Sequence, residues 1–206
     1  NRFAFPSAIV CDSPKTMRTL VSLGLILAAS SPALAGAPPW PPVAPGVPLR
    51  LISSDSKAAD GTTLVGLEVD MPQTYRTYWQ NPGETGIATQ IDTAGSTGID
   101  AATIDWPYPS PEVTGGFLDY VYHGPTVLPL ILKSTGASGD LKASVVMGVC
   151  SEVCVPVQAN FDLPLAFGTA DPGQSIRLAQ ALSLTPIPWN GPPPPFGPLR
   201  YDATAH

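Results

Sequence analysis

Residues 141–165 read LKASVVMGVCSEVCVPVQANFDLPL, and two alternating segments in this stretch decide the fold. Every second residue is apolar up to Cys150, and the alternation resumes after Cys154. A period of two is typical of half-buried β-strands, so the stretch predicts a hairpin whose turn lies between the cysteines. Pro156 and Pro164 predict an edge position for the second strand, because proline cannot donate to a β-ladder.

The chain before this hairpin has the same character. Short apolar runs separated by Gly, Pro and Asp turn signals predict five further strands. Few helical patterns are present in the chain, and one of them is a short run that follows the hairpin. An all-β, immunoglobulin-like antiparallel sandwich is therefore expected, because a βαβ rhythm is missing. The five additional strands are predicted at 47–52, 62–69, 75–80, 101–106 and 126–133, and the helix at 175–184, with Ile176, Ala179 and Leu182 on one face.

The two ends of the chain differ from this central domain. Basic residues around Met17, an apolar run over 20–29 and the small residues Ala33-Leu34-Ala35 are the three parts of a secretory signal peptide. The pattern predicts an exported protein. The predicted segments are an upstream stretch that is not part of the mature protein at 1–16, which contains Cys11, the signal at 17–35, a proline-rich linker at 36–45, the domain at 46–168, and a short helix with a proline-rich tail at 169–206.

Charge and motifs exclude several classes of function. The formal net charge is −6, with only 10 Lys and Arg, so a basic surface for nucleic acid is not expected. The sequence contains no G-x-S-x-G elbow, no phosphate-binding loop and no G-x-G-x-x-G fingerprint. Hydrolase and nucleotide-binding functions therefore have no support.

The pair Cys150 and Cys154 allows three kinds of chemistry. A fully extended chain would hold their Cα atoms about 13 Å apart, so a disulfide requires a turn between them. The bond could exchange with partner thiols, or it could be a structural staple worth only about 2 kcal/mol for so short a loop. Reduced thiolates could instead bind Cu(I), with His123 and Met147 as further ligands. The alternative is that His123 is a polar loop residue beside a turn and that Met147, in phase with Val145 and Val149, fills the core. Glu152 between the cysteines disfavours a thiolate, and no Lys or Arg nearby in the sequence offsets it.

Four segments together resemble a known family. They are TYWQNPGETG at 77–86, WPYP at 106–109, YHGPTVLP at 122–129 and CSEVCVP at 150–156. In order and spacing they are similar to the N-terminal periplasmic domain of the DsbD and ScsB disulfide reductases, over about residues 46–168.

The resemblance implies a periplasmic immunoglobulin-like domain in which Cys150 and Cys154 form the exchange pair, with no cofactor besides the disulfide. Electrons would come from a membrane-embedded thiol reductase and pass to periplasmic thiol-disulfide proteins. The family covers its cysteines with an aromatic cap, for which Phe117 is the candidate, with Tyr120 and Tyr122 as further cap or rim residues. The Cys-x3-Cys spacing is closer to the copper-tolerance ScsB branch, so a copper-binding module is the alternative. Which cysteine attacks, and whether the donor is a separate protein, are left open.

Overall fold

The computed structural model describes residues 42–44, 47–168, 170–192 and 197. The predicted upstream stretch and signal peptide, most of the linker and most of the proline-rich tail lie outside these residues. The strands are β1 (Pro42–Ala44), β2 (Val47–Lys57), β3 (Thr62–Val69), β4 (Arg76–Gly83), β5 (Gln90–Asp92), β6 (Ile99–Ile104), β7 (Ser110–Thr114), β8 (Phe117–His123), β9 (Thr126–Ser134), β10 (Ser138–Cys150) and β11 (Cys154–Ala166), and the helix is α1 (Pro172–Leu182).

The described strands form two antiparallel sheets. The first has the order β1-β2-β3-β9-β6, and the second has the order β11-β10-β4-β8-β7, with β5 beside β10. The prediction of an all-β, immunoglobulin-like sandwich is confirmed. The edge position of β11 is also confirmed, as expected for a strand that contains Pro156 and Pro164.

The space between the sheets is filled by the apolar residues that alternate along each strand. In β10 these are Leu141, Val145 and Met147, all fully buried. They belong to one continuous core with residues of the first sheet such as Leu51 and Leu128. Each such side chain contributes about 1.5–3 kcal/mol by leaving water. The intervening residues of β10, which end in Cys150, therefore lie on the outer face of the second sheet.

Four strands were not expected from the sequence. β1 lies within the predicted linker, and β5 is only three residues long. The hairpin of β7 and β8 turns through Gly115 and Gly116, whose φ angles are 64° and 90°. Neither strand shows a clear alternation of apolar residues. Pro111 interrupts the pattern in β7, and in β8 the polar Asp119 is buried next to large apolar side chains.

The helix exists but begins earlier than predicted. Asp171 is its N-cap and accepts hydrogen bonds from the backbone N–H groups of Gly173 and Gln174. Pro172 follows as the first residue of the helix, where its fixed φ is favourable and its missing N–H costs nothing. These capping residues extend the helix upstream of the apolar pattern over 175–184.

The buried face of the helix also differs from the prediction. Leu178 and Ala181 are buried, whereas Ile176 is 61 % exposed. Leu178 packs against Gly66 of β3, where an added Cβ would lie 2.6 Å from Leu178 Cδ2. Because Gly66 has no side chain, the helix can pack against β3 through the face that carries Leu178. In the part of the chain described by the structure, no helix is long and apolar enough to cross a membrane.

Candidate redox site

The hairpin of β10 and β11 brings the two cysteines together. Cys150 is the last residue of β10, Cys154 is the first of β11, and the two are paired across the hairpin with Cα atoms 4.0 Å apart. They form a disulfide. The turn that the sequence analysis required between them is therefore present.

The two halves of the disulfide differ in exposure. Cys150 is fully buried, whereas Cys154 is exposed. Its neighbours Val153 and Val155 are 69 % and 42 % exposed, so the accessible side of the disulfide has an apolar border. Cys154 is therefore the half of the disulfide that a thiol from outside can reach.

Tyr78 of β4 is the residue that contacts both sulfurs. Its hydroxyl oxygen lies 3.0 Å from Cys150 Sγ and 3.4 Å from Cys154 Sγ. Because disulfide sulfurs carry no hydrogen, the hydroxyl is the donor. Tyr78 is fully buried and forms with Val121 and Cys150 a small apolar cluster separate from the main core. The sequence showed Tyr78 only as one of many aromatic residues.

The segment 84–89 packs against Tyr78, and Ala88 forms an isolated β-bridge with it. A Cβ added to Gly86 would lie 2.1 Å from Tyr78 Cδ1, so only glycine allows this close approach to the ring. The adjacent Ile87 accepts a hydrogen bond through its carbonyl oxygen from the N–H of Gly148, at 3.2 Å. Gly86, the last residue of TYWQNPGETG, therefore has a packing role beside the disulfide.

Asp119 of β8 holds this segment in place. Its buried carboxylate accepts hydrogen bonds from the Thr85 backbone N–H, at 3.0 Å, and from the Thr85 hydroxyl. Burial alone would raise the pKa of Asp119, but the hydrogen bonds from Thr85 and the positive charge of Arg76 together lower it below its usual value. Gly83 passes so close that an added Cβ would lie 2.3 Å from the Leu118 carbonyl oxygen.

Charged residues continue the same face of the sheet. Arg76 of β4 is paired with Cys150 on one side and with His123 of β8 on the other. Glu112 of β7 lies 3.5 Å from Arg76 Nε and 2.8 Å from His123 Nε2. Sequence proximity could not reveal an arginine opposite Cys150, because Arg76 reaches that position only through strand pairing.

The predicted cap and rim residues lie on two different faces. Phe117 is on the same face of β8 as Val121, is half exposed, and follows the turn at Gly115 and Gly116. Tyr120 is on the opposite face and makes an edge contact with Trp79, with ring centroids 5.8 Å apart.

Tyr122 shares the face of Tyr120 and is buried in the main core. Its hydroxyl donates to the Pro107 carbonyl oxygen at 2.7 Å, and burial raises the pKa of Tyr122. The prediction that Tyr120 and Tyr122 lie at a rim of the disulfide was therefore wrong. Successive residues of a strand point to opposite faces, so both tyrosines point away from the face that carries Val121 and the disulfide.

The residues named for copper are not brought together as a set. Met147 is fully buried in the core, on the face of β10 opposite Cys150, so it is not a ligand beside that sulfur. His123 Nε2 lies 2.8 Å from Glu112 Oε2 and donates to this carboxylate. Among the described residues, no group of three or more His, Cys, Asp or Glu side chains has the arrangement of a metal site.

The chain resembles known proteins in both sequence and fold. It matches over residues 50–166 the family model described as "Thiol:disulfide interchange protein DsbD, N-terminal". No curated protein sequence matches it significantly. Among solved structures, it is similar to the N-terminal periplasmic domain of ScsB from Proteus mirabilis, with 24 % sequence identity and a TM-score of 0.57. That match covers 74 % of this chain and spans 59 % of the ScsB chain. The family match covers more than half of the sequence and contains the buried tyrosine and both cysteines, so the chain belongs to the N-terminal domain family of the thiol:disulfide interchange protein DsbD.

Proposed function

We propose that this domain works in the periplasm as a thiol-disulfide exchange domain that takes electrons from a membrane-embedded reductase and passes them to periplasmic disulfide proteins. The observation that carries the proposal is the unequal disulfide: Cys154 is exposed, Cys150 is buried, and the Tyr78 hydroxyl donates toward both sulfurs. Membership of the DsbD N-terminal family supports the same chemistry.

The geometry supports a defined order of steps during reduction of the domain. A donor thiolate attacks Cys154 Sγ, a donor–Cys154 disulfide forms, and the electron pair of the broken bond leaves on Cys150 as a thiolate. A second donor thiolate then attacks the donor sulfur of this mixed disulfide and releases Cys154. Two electrons enter the domain, the donor pair is oxidised, and each released sulfur takes up a proton.

Electrons leave by the reverse sequence. The Cys154 thiolate attacks a disulfide of the acceptor and forms a mixed disulfide, and one acceptor sulfur departs as a thiolate. Cys150 then attacks Cys154 Sγ, which restores the internal disulfide and releases the second acceptor sulfur. In both directions the buried sulfur is the one whose charge the protein must accommodate, and Tyr78 is the nearest hydrogen-bond donor described for it.

The experiment is a measurement of the reduction potential by equilibration in thiol buffers, with mass-spectrometric counting of free thiols in the Cys150 and Cys154 peptide. We expect a reversible value within the range of known exchange proteins, about −120 to −270 mV. A pair that stays oxidised below about −300 mV would make the disulfide a structural staple and overturn the proposal.

We also propose that Phe117 restricts access to the disulfide. It lies on the disulfide face of the sheet, and the glycine turn before it allows the tip of the hairpin to move. F117A should increase the rate at which dithiothreitol reduces the domain, whereas V113A, an exposed apolar residue on the neighbouring strand, should not. Equal reduction rates for F117A and the wild type would contradict the proposal that Phe117 restricts access to the disulfide.

A further inference from the structure

Arg76 occupies the position directly opposite Cys150. The two residues are paired between β4 and β10, and their side chains therefore leave the sheet on the same face. Directly opposite residues in antiparallel strands have Cβ atoms about 4.5–5.5 Å apart. The Arg76 side chain is only 17 % exposed, so water screens its positive charge poorly.

The described partners of Arg76 do not fully engage its guanidinium. Its Nε is buried and has no hydrogen-bond acceptor among the described residues. The ion pair from Nε to Glu112 Oε1 is 3.5 Å long, while the second Glu112 oxygen is bound by His123 Nε2 at 2.8 Å. The positive charge acts across this face, because it contributes to the lowered pKa of Asp119.

The exchange steps place a negative charge on Cys150. When the disulfide opens at Cys154, Cys150 leaves as a thiolate in a site where it is fully buried. Burial disfavours a thiolate, and so does the negative charge of Glu152 in the turn. Tyr78 supplies one hydrogen bond, but a hydroxyl carries no charge to balance the sulfur. Arg76, the residue paired with Cys150, carries a charge of the required sign.

We infer that Arg76 stabilises the Cys150 thiolate released when the disulfide opens, and that Glu112 weakens this effect by competing for the guanidinium. The inference rests on the proposed exchange function and assigns a role to a residue outside the cysteine pair. It makes Arg76 a positioning residue, since it acts through Cys150 and need not touch the partner protein. It also predicts opposite effects for two neighbouring substitutions.

The test measures the thiolate of Cys150 directly. In the full chain carrying Cys154→Ala, alkylation of Cys150 by iodoacetamide is followed against pH, and mass spectrometry of its peptide separates it from Cys11. Adding Arg76→Gln should lower the alkylation rate at pH 7 about tenfold and move the midpoint of the profile upward. Adding Glu112→Gln should move the midpoint downward. Arg177→Gln, which removes a guanidinium bound to Glu68 in the other sheet, is the matched control and should change nothing.

The outcomes separate this inference from the proposed function. Unchanged profiles in both the Arg76→Gln and the Glu112→Gln variants would overturn the inference, even if the wild-type disulfide exchanges reversibly. If Arg76→Gln does not fold, Arg76→Lys should retain the wild-type midpoint, and Glu112→Gln still tests the predicted direction. A wild-type disulfide that fails the thiol-buffer experiment would overturn the proposed function, whatever these variants show.

Discussion

At the scale of single residues, the position of the Tyr78 hydroxyl is the central feature of the site. Its ring is fixed by contact with the backbone of Gly86, and its hydroxyl is thereby held within 3.4 Å of both sulfurs. A buried hydroxyl placed in this way requires no reorganisation when a negative charge develops on sulfur. We therefore expect the tyrosine to take part in the redox chemistry as well as in the packing.

Y78F should slow reduction of the disulfide by dithiothreitol about tenfold while leaving the fold intact. The ring still fills its site, but the hydrogen bond to a developing thiolate, worth about 1.5–3 kcal/mol, is lost. Stopped-flow measurement of the rate constant is the appropriate assay. Y120F removes a hydroxyl from the opposite face and serves as the control. A Y78F rate equal to that of Y120F would contradict a chemical role for the hydroxyl.

D119N should destabilise the domain by about 1.5–3 kcal/mol at pH 7, because an amide cannot replace a carboxylate that accepts two hydrogen bonds from Thr85. The folded-state pKa of Asp119 is below its unfolded value. Its contribution is therefore present above about pH 4 and is lost as the pH falls through the folded pKa. Urea unfolding at pH 7 and at acidic pH should show a gap between wild type and D119N that closes on acidification. A gap independent of pH would contradict this account.

At the scale of elements, the pairing of strands brings the residues of the site together. The hairpin of β10 and β11 was predictable because its alternation continues up to both cysteines. The pairing of β10 with β4, which places Arg76 opposite Cys150, was not predictable, because residues far apart in sequence meet there. The β7–β8 hairpin was missed for a local reason: Pro111 in β7 and the buried polar Asp119 in β8 hide its period.

G86A should destabilise the domain by about 1–3 kcal/mol, because the added Cβ would lie 2.1 Å from the Tyr78 ring and force segment 84–89 outward. The rate of disulfide reduction should change as well, since the same segment packs against Tyr78. Urea unfolding and dithiothreitol kinetics measure the two effects. G168A, whose Cβ would meet nothing within 4 Å, is the control. Indistinguishable behaviour of the two variants would mean that the segment adapts freely.

At the scale of the whole domain, the outer faces of the two sheets carry different features: the helix lies on one and the disulfide on the other. The outer face of the first sheet is covered by α1, which contacts β2, β3 and β9. Arg177 of the helix binds the buried Glu68 of β3 at 2.7 Å, and Arg50 of β2 binds the same carboxylate. The redox site lies on the other sheet, so the helix contributes stability at a distance from the chemistry.

L178A should lower the free energy of unfolding by about 2–5 kcal/mol, because it removes a fully buried side chain from the contact with Gly66. I176A, on the exposed face of the same helix, should change it by less than about 0.5 kcal/mol. Neither variant should alter the reduction potential of the disulfide. A potential that shifts in L178A alone would indicate that the helix is coupled to the redox site.

The sequence by itself determined the all-β fold, the hairpin that carries Cys150 and Cys154, and the edge position of β11. These features are local, since a strand period and a proline are both visible within a few residues. Only the tertiary structure decided which cysteine is exposed, that Tyr78 reaches both sulfurs, that Arg76 faces Cys150, and that Tyr122 belongs to the core. The physical reason is that each of these depends on the register between distant strands, and a shift of one residue would turn every side chain to the other face.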